Sequence, residues 1–113
     1  MDIPEYAALF KALSEPVRLR ILHLLLDKGE LCVCDIVDTL GVSQSVISRH
    51  LAYLRNTDLL DTRREGVWIY YQITKLSPFT TNVLALFLES STDSNVMRDD
   101  LHTFQAIAKR SCS

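Results

Sequence analysis

The segment Leu40-Gly41-Val42-Ser43-Gln44-Ser45-Val46-Ile47-Ser48-Arg49-His50-Leu51 carries a helix stop and a helix start within a few residues. Gly41 suits the position just past a helix end, where a left-handed backbone is common. The helix it closes runs from about Cys34 to Leu40, with Ile36, Val37 and Leu40 turned inward. Ser43 suits an N-cap for a helix from Gln44 to about Asn56. In that helix Ile47, Leu51 and Leu54 make one apolar stripe, and Gln44, Ser45, Ser48, Arg49 and Arg55 lie outside it. A short helix, a tight glycine turn and a longer capped helix form the pattern of a helix-turn-helix.

Downstream, the hydrophobic period changes from near 3.6 to 2. Leu60 to Arg64 and Trp68 to Ile73 read as strands with Glu65-Gly66 at the turn, a candidate wing. Upstream, Ile3, Tyr6, Ala7, Phe10 and Leu13 recur at helical spacing. Ser14 then reads as an N-cap, with Glu15 and Pro16 in the first turn of a second helix that ends at Gly29. Phe79 to Ser90 and about Asn95 to Arg110 read as two more helices. The expected fold is mainly α (α+β): a winged helix-turn-helix of about five or six helices with a two-stranded β-hairpin wing. All of residues 1–113 form one domain, with the helix-turn-helix at about 34–57 and the wing at about 60–73. Dimerisation helices are expected at about 3–13 and 79–110. Val83 to Leu88 is apolar nearly all round, and a helix of that kind must be buried on both sides. A domain this small can hardly enclose it, so a second copy is the expected cover, joined by the first helix; a central hairpin of a monomeric core is the alternative.

A chain of 113 residues, 48% hydrophobic and 23% charged, is no disordered tail, fibre or low-complexity linker. A formal net charge of -2 excludes a polycation, so nucleic-acid binding has to come from a local basic surface. The longest apolar run is far too short to cross a bilayer. The acidic start Met1-Asp2-Ile3-Pro4-Glu5 has no apolar core of a signal peptide. The expected compartment is cytoplasmic, with no membrane partner and with the three cysteines reduced.

Ser43 to Arg55 contains two arginines, one histidine and no acid. Small residues let a helix enter the major groove, and Gln, Arg and Ser bond to base edges or phosphate. Ser43, Gln44, Ser45, Ser48, Arg49 and His50 are the candidate DNA readers. Arg63 and Arg64, beside the hairpin turn, are placed to reach the flanking backbone. A dimer sets two such helices about one DNA turn apart, which calls for a near-palindromic operator.

The second constellation is Glu30-Leu31-Cys32-Val33-Cys34-Asp35. Thiolates are soft ligands, and a helix N-terminus favours them. Residues i and i+2 point about 200° apart around an ideal helix, so two sulfurs share an ion only where the turn is not regular helix. Chelation is therefore expected to distort the first turn of the helix behind the recognition helix. Two buried structural cysteines are the alternative. Asp35 and Asp38 read as surface acids, His23 as a core or edge residue, and Trp68, Tyr70 and Tyr71 as wing packing. No base, phosphate loop or cofactor motif accompanies the cysteines, which argues against an enzyme.

These residues, together with the Gly66-Val67-Trp68-Ile69-Tyr70-Tyr71 strand, resemble the ArsR/SmtB family of metal-responsive repressors over roughly residues 4 to 90. The resemblance implies a dimeric repressor that holds operator double-stranded DNA when metal-free and is released by its inducer. In that family the E-L-C-V-C-D string is typical of arsenite and antimonite sensors and of cadmium and lead sensors. This chain departs from each pattern. Arsenite sensors carry a third cysteine one turn after the second, where Val37 stands. Cadmium and lead sensors add cysteines from an N-terminal extension, and residues 1 to 31 have none. Zinc sensors use Asp and His pairs on the dimer helix; Phe79 to Ser90 has neither, and His102 stands alone. Cys112 either completes a three-sulfur metal site or is a frayed terminal residue. The expected inducer is arsenic(III) or antimony(III), as arsenite, antimonite or methylarsenite, at Cys32 and Cys34, with no organic cofactor. The alternatives are a cadmium/lead-responsive repressor and a thiol redox-sensing repressor. An i, i+2 disulfide would be strained, so the redox form would need Cys112 or an intermolecular partner.

Overall fold

The structure, a computed structural model, describes residues 1–111. Cys112, a candidate third ligand, lies outside the described residues. Six helices and a small sheet follow in the order α1 (Ile3–Ala12), α2 (Pro16–Lys28), β1 (Leu31–Cys32), α3 (Val33–Leu40), α4 (Gln44–Asn56), β2 (Leu60–Glu65), β3 (Trp68–Ile73), α5 (Pro78–Ser90) and α6 (Asn95–Ser111). A 3-10 turn, Ser91–Asp93, separates the last two.

Helix α2 is the hub. Its Ile21, Leu22, Leu24 and Leu25 are buried against Ile36 and Leu40 of α3, Ile47, Leu51 and Leu54 of α4, and Leu9 and Ala12 of α1. Each large aliphatic side chain taken fully from water contributes roughly 1.5–3 kcal/mol, so this stripe fixes how the helix-turn-helix sits on the rest. Gly41 closes α3 at φ 66°, in the left-handed region expected for it. Arg20 of α2 clamps the far side. It donates to both carboxylate oxygens of Asp100 in α6 (3.0 and 2.8 Å) and to the Leu40 carbonyl at the end of α3 (3.1 Å). The hydrogen bonds to Asp100 raise the proton affinity of the guanidinium despite its partial burial.

Two local expectations change. The N-cap of α2 is Glu15, not Ser14: the Glu15 carboxylate accepts from Arg18 N at 2.9 Å. Ser14 is occupied instead at the end of α1, where its hydroxyl donates to the Lys11 carbonyl. The hairpin turn is Gly66-Val67, because Glu65 pairs with Trp68 inside the ladder and Gly66 takes φ 61°. The β2–β3 hairpin wing is two-stranded as expected, but its sheet gains a third strand. Leu31–Cys32 pairs antiparallel with β3, Leu31 opposite Tyr71 and Cys32 opposite Tyr70, giving the order β1-β3-β2. A two-residue strand is too short to leave any periodicity in sequence.

Helix α5 is buried on one side alone, at Thr80 and Leu84. Phe79 packs edge-on against Tyr6 and Phe10 of α1 (ring centroids 5.1 and 6.3 Å apart). Ile3, Phe10, Phe79 and Leu86 of these two helices nevertheless stay exposed. No described helix is long and apolar enough to cross a membrane.

His23 is 1% exposed, its Nδ1 has no hydrogen-bond partner, and its ring meets Phe87 edge-on at 6.5 Å. Burial is the main reason that its pKa falls below the ordinary 6.5. The folded state thus binds the proton less well than the unfolded chain, so stability is full above pH 6.5 and declines as pH falls from there towards the lowered folded value. Thermal melts should show a decline between pH 7 and 5.5 that is smaller in His23→Leu; identical pH slopes in both proteins would contradict this.

Candidate functional site

Helix α4 sorts its side chains cleanly. Ile47, His50, Leu51 and Leu54 face inward, while Gln44, Ser45, Ser48, Arg49, Ala52 and Arg55 are exposed. Ser43 occupies the cap position without a cap hydrogen bond, its hydroxyl 3.3 Å from that of Ser45. Five of the six α4-region candidates therefore share one open surface. His50 does not, because it is buried at 8% exposure. Arg18 donates towards its Nδ1 at 3.4 Å, and the Glu15 carboxylate lies 3.7 Å from its Nε2. Arg18 also donates to the Ala12 and Lys11 carbonyls and stacks over Tyr53 at 4.1 Å. His50 thus helps to seat α4 on the α1–α2 corner and leaves the outer face to Arg49 and Arg55. Sequence periodicity marks His50 as the fourth member of the Ile47–Leu51–Leu54 stripe, a sign outweighed there by its polarity.

The two wing arginines part company. Arg64 is exposed and, among the described residues, makes no ion pair. Arg63 is held at both ends. It donates to Glu30 through Nε and Nη2 (2.7 Å at the shortest) and to Glu65 through Nη1 at 2.7 Å, and it lies over the Tyr70 ring at 4.7 Å. These hydrogen bonds raise the Arg63 pKa and hold the Glu30 carboxyl below its ordinary 4.5. Both arginines are exposed beside the turn as expected, and Arg63 alone is engaged by carboxylates. Its partner stands 33 positions away in sequence, so no local pattern foretells the pair.

Cys32 closes β1 and is the N-cap of α3, with extended backbone (φ -80°, ψ 162°). Its sulfur accepts from Asp35 N at 3.4 Å. Since Cys32 lies outside the helix, the 200° rule for helical residues two apart does not separate it from Cys34. The Cα atoms are 5.4 Å apart and the two sulfurs are joined as a disulfide. The two sulfurs meet within one turn of chain while α3 begins regularly at Val33, which corrects the expectation that an oxidised pair needs Cys112 or an intermolecular partner. An Asp35 carboxylate oxygen lies within 4.8 Å of both sulfurs, so Asp35 joins them as a possible donor. Cys32 is buried and Cys34 exposed. Two soft donors and one hard donor on a preformed corner fit a thiophilic ion or metalloid once the disulfide is reduced.

Comparison with known proteins adds to this geometry. The family model described as bacterial regulatory protein, arsR family, matches residues 15–62. The chain is 49% identical over 70 residues to the arsenical resistance operon repressor of Escherichia coli K12, a match covering 62% of this chain; the chain spans 60% of that repressor's length. It superposes on HlyU from Vibrio cholerae N16961 at TM-score 0.67 with 36% identity, covering 74% of this chain and 87% of the other. The AntR antimony-specific transcriptional repressor superposes at TM-score 0.67 with 33% identity and 80% coverage of each chain.

Removing the Glu30 carboxylate should loosen the corner without unfolding the protein, because exposed ion pairs add little to global stability. In Glu30→Gln the amides of Cys32 and Tyr70 should exchange hydrogen faster, with the denaturation midpoint almost unmoved. Unchanged protection would show that the β1–β3 pairing does not lean on Arg63.

Proposed function

Because the chain belongs to the arsR family of bacterial regulatory proteins, we propose that it is a DNA-binding transcriptional repressor, active as a homodimer, whose hold on a near-palindromic operator is released when Cys32 and Cys34 capture trivalent arsenic or antimony. The observation that carries the reading is the placement of both sulfurs on a corner hydrogen-bonded into the wing. Similarity to an arsenical resistance operon repressor and to an antimony-specific repressor supports the choice of ligand.

The reader is the open face of α4: Gln44, Ser45, Ser48 and Arg49 towards base edges, with Ser43, Arg55 and Arg64 at phosphate. With a net charge of only -2 for the whole chain, attraction to DNA rests on these few cations and falls with salt. The exposed apolar side of α1 and α5, at Ile3, Phe10, Phe79 and Leu86, is the face offered to the second protomer. Capture runs on the reduced pair. Each thiol loses its proton, two sulfur–arsenic bonds form, and two hydroxyl groups leave arsenic as water, with no change of oxidation state. Cys32 is also a rung of the β1–β3 ladder, and Glu30, two residues before it, holds Arg63 of β2. A ligand that pulls on the corner therefore pulls on the wing. This route to the wing stands beside the expected distortion of the first turn of α3.

A second reading has its own support. The joined sulfurs of Cys32 and Cys34 are the oxidised form that a thiol redox switch would use, with a peroxide-class oxidant taking the two electrons.

The test is titration of the reduced, operator-bound protein with arsenite, antimonite, cadmium and zinc, with a peroxide arm beside it. Cys32→Ser and Cys34→Ser should hold DNA normally and need at least about tenfold more arsenite for release, within the usual range of allosteric coupling. Normal release of the double variant would reject the site, and release by peroxide alone would favour the switch. Val37→Cys, which sets a third thiol one turn beyond Cys34, should tighten arsenite binding by about tenfold or more in direct binding measurements; no gain would show that this position does not face the captured ligand.

A further inference from the structure

The buried stripe of α4 is aliphatic at Ile47, Leu51 and Leu54 and polar at one place. There His50, 8% exposed, meets Arg18, 9% exposed, at the corner of α1 and α2. Every nitrogen of the Arg18 guanidinium has a partner. Nε donates to the Ala12 carbonyl at 2.9 Å and Nη2 to the Lys11 carbonyl at 3.1 Å, while Nη1 lies 3.4 Å from His50 Nδ1. The same guanidinium covers the Tyr53 ring of α4 at 4.1 Å. One side chain thus ties the end of α1 to the inner side of α4. Well-packed hydrocarbon would serve stability there as well or better, so packing alone does not account for a buried polar knot behind this helix.

We propose that His50 is a positioning residue for the DNA-reading helix, and that it seats α4 only as the neutral imidazole, so that a second proton on the ring loosens the grip on DNA. The inference rests on the reading of α4 as the DNA-facing helix and is independent of the two cysteines. A guanidinium has donors and no acceptor. Its contact with Nδ1 therefore needs a lone pair there, which puts the single ring proton on Nε2, 3.7 Å from the Glu15 carboxylate. A second proton goes to Nδ1. It sets N–H against N–H and cation against cation at Arg18, while Glu15 stays attractive on the other side. The ring then leaves Arg18 for Glu15, whose carboxylate already caps α2 by accepting from Arg18 N at 2.9 Å. The corner can hold the added charge but not the original geometry. The other neighbours do not restore it. Tyr53 is occupied under Arg18, and Lys11, the cation at the end of α1, is exposed. Helix α3 and strand β2 also pack on α4, and they join it through the aliphatic core at Ile36, Leu40 and Leu60. Arg49 stands next to His50 on the open side, so a shift of the seat shifts the reader.

The experiment uses the full chain, kept reduced, and a DNA duplex that the wild type selects from random sequence. Affinity is followed by fluorescence anisotropy at constant ionic strength from about pH 8 to about pH 5.5, the range in which histidines change charge. The wild type should lose about tenfold across that range, within the usual scale of coupling between sites. Added positive charge by itself strengthens attraction to DNA, so a fall on acidification has the sign that Coulomb attraction cannot give. His50→Asn offers Arg18 an oxygen acceptor and takes no second proton. The measure is its slope: whatever its affinity at the alkaline end, its curve should not fall on acidification. His23→Leu, which removes the other buried histidine, should keep the wild-type slope. A histidine with a purely structural role would move affinity equally at every pH, so parallel curves for wild type and His50→Asn overturn the proposal. If that variant does not fold, heteronuclear NMR of the wild-type imidazole decides. A neutral ring with its proton on Nε2 at the alkaline end supports the proposal, and a proton on Nδ1 there overturns it. If Arg49→Ala binds the duplex at the alkaline end as tightly as the wild type, α4 is not the reader, and the inference falls with that reading whatever the slopes.

Discussion

The extended backbone at Cys32 is the constraint on which the site depends. One residue serves as the last rung of β1 and as the cap of α3, so it cannot belong to the regular helix that begins at Val33. Three consequences follow from that one conformation. The Cys32 sulfur folds over the first turn, accepts the Asp35 amide and meets Cys34. The segment before it lies flat against β3, which turns a hairpin into a three-stranded sheet. Glu30 comes within reach of Arg63 on the opposite edge strand. The thiols and the wing are therefore parts of one small structure rather than neighbours by chance.

Charge is distributed on the same local scale. A chain with a formal net charge of -2 has no long-range field to attract a polyanion. What it has is a helix face, Gln44 to Arg55, without an acid, and a wing whose two arginines have different tasks. Glu30 and Glu65 neutralise Arg63, which is a brace; Arg64 keeps its charge for the solvent side. Buried charge is handled differently. Asp100 is taken from water only in the grip of Arg20, where two hydrogen bonds offset its desolvation, and that pair fixes α6 to the back of the helix-turn-helix.

Much of the fold was legible because its signals are local. Gly41, Ser43 and the Ile47–Leu51–Leu54 stripe predict the helix-turn-helix almost to the residue, and the change of period at Leu60 predicts the hairpin. The errors have local causes too. Ser14 and Glu15 are both acceptable caps, and the choice between them turned on the Lys11 carbonyl, which claimed the serine. His50 lies on the buried stripe by spacing, yet its chemistry suggested the surface; Arg18 and Glu15 make burial tolerable by offering it polar neighbours. The candidate site was legible as a list of residues and not as an arrangement. Cys32 and Cys34 stand out in sequence, whereas Asp35 joins them only through the fold of the corner.

Sequence by itself determined the order of helices, the helix-turn-helix, the exposed face of α4 apart from His50, and the presence of two neighbouring cysteines. All of these depend on spacings of a few residues, which set the side of a helix or strand on which a side chain emerges. Only the tertiary structure decided that the two sulfurs meet, that Arg63 is engaged by Glu30, that β1 joins the wing, and that Arg18 ties His50 to the end of α1. Each of these joins residues far apart in the chain, or depends on whether one residue is helical or extended. Such choices are made by the packing of whole elements on α2, and no short-range pattern carries that information.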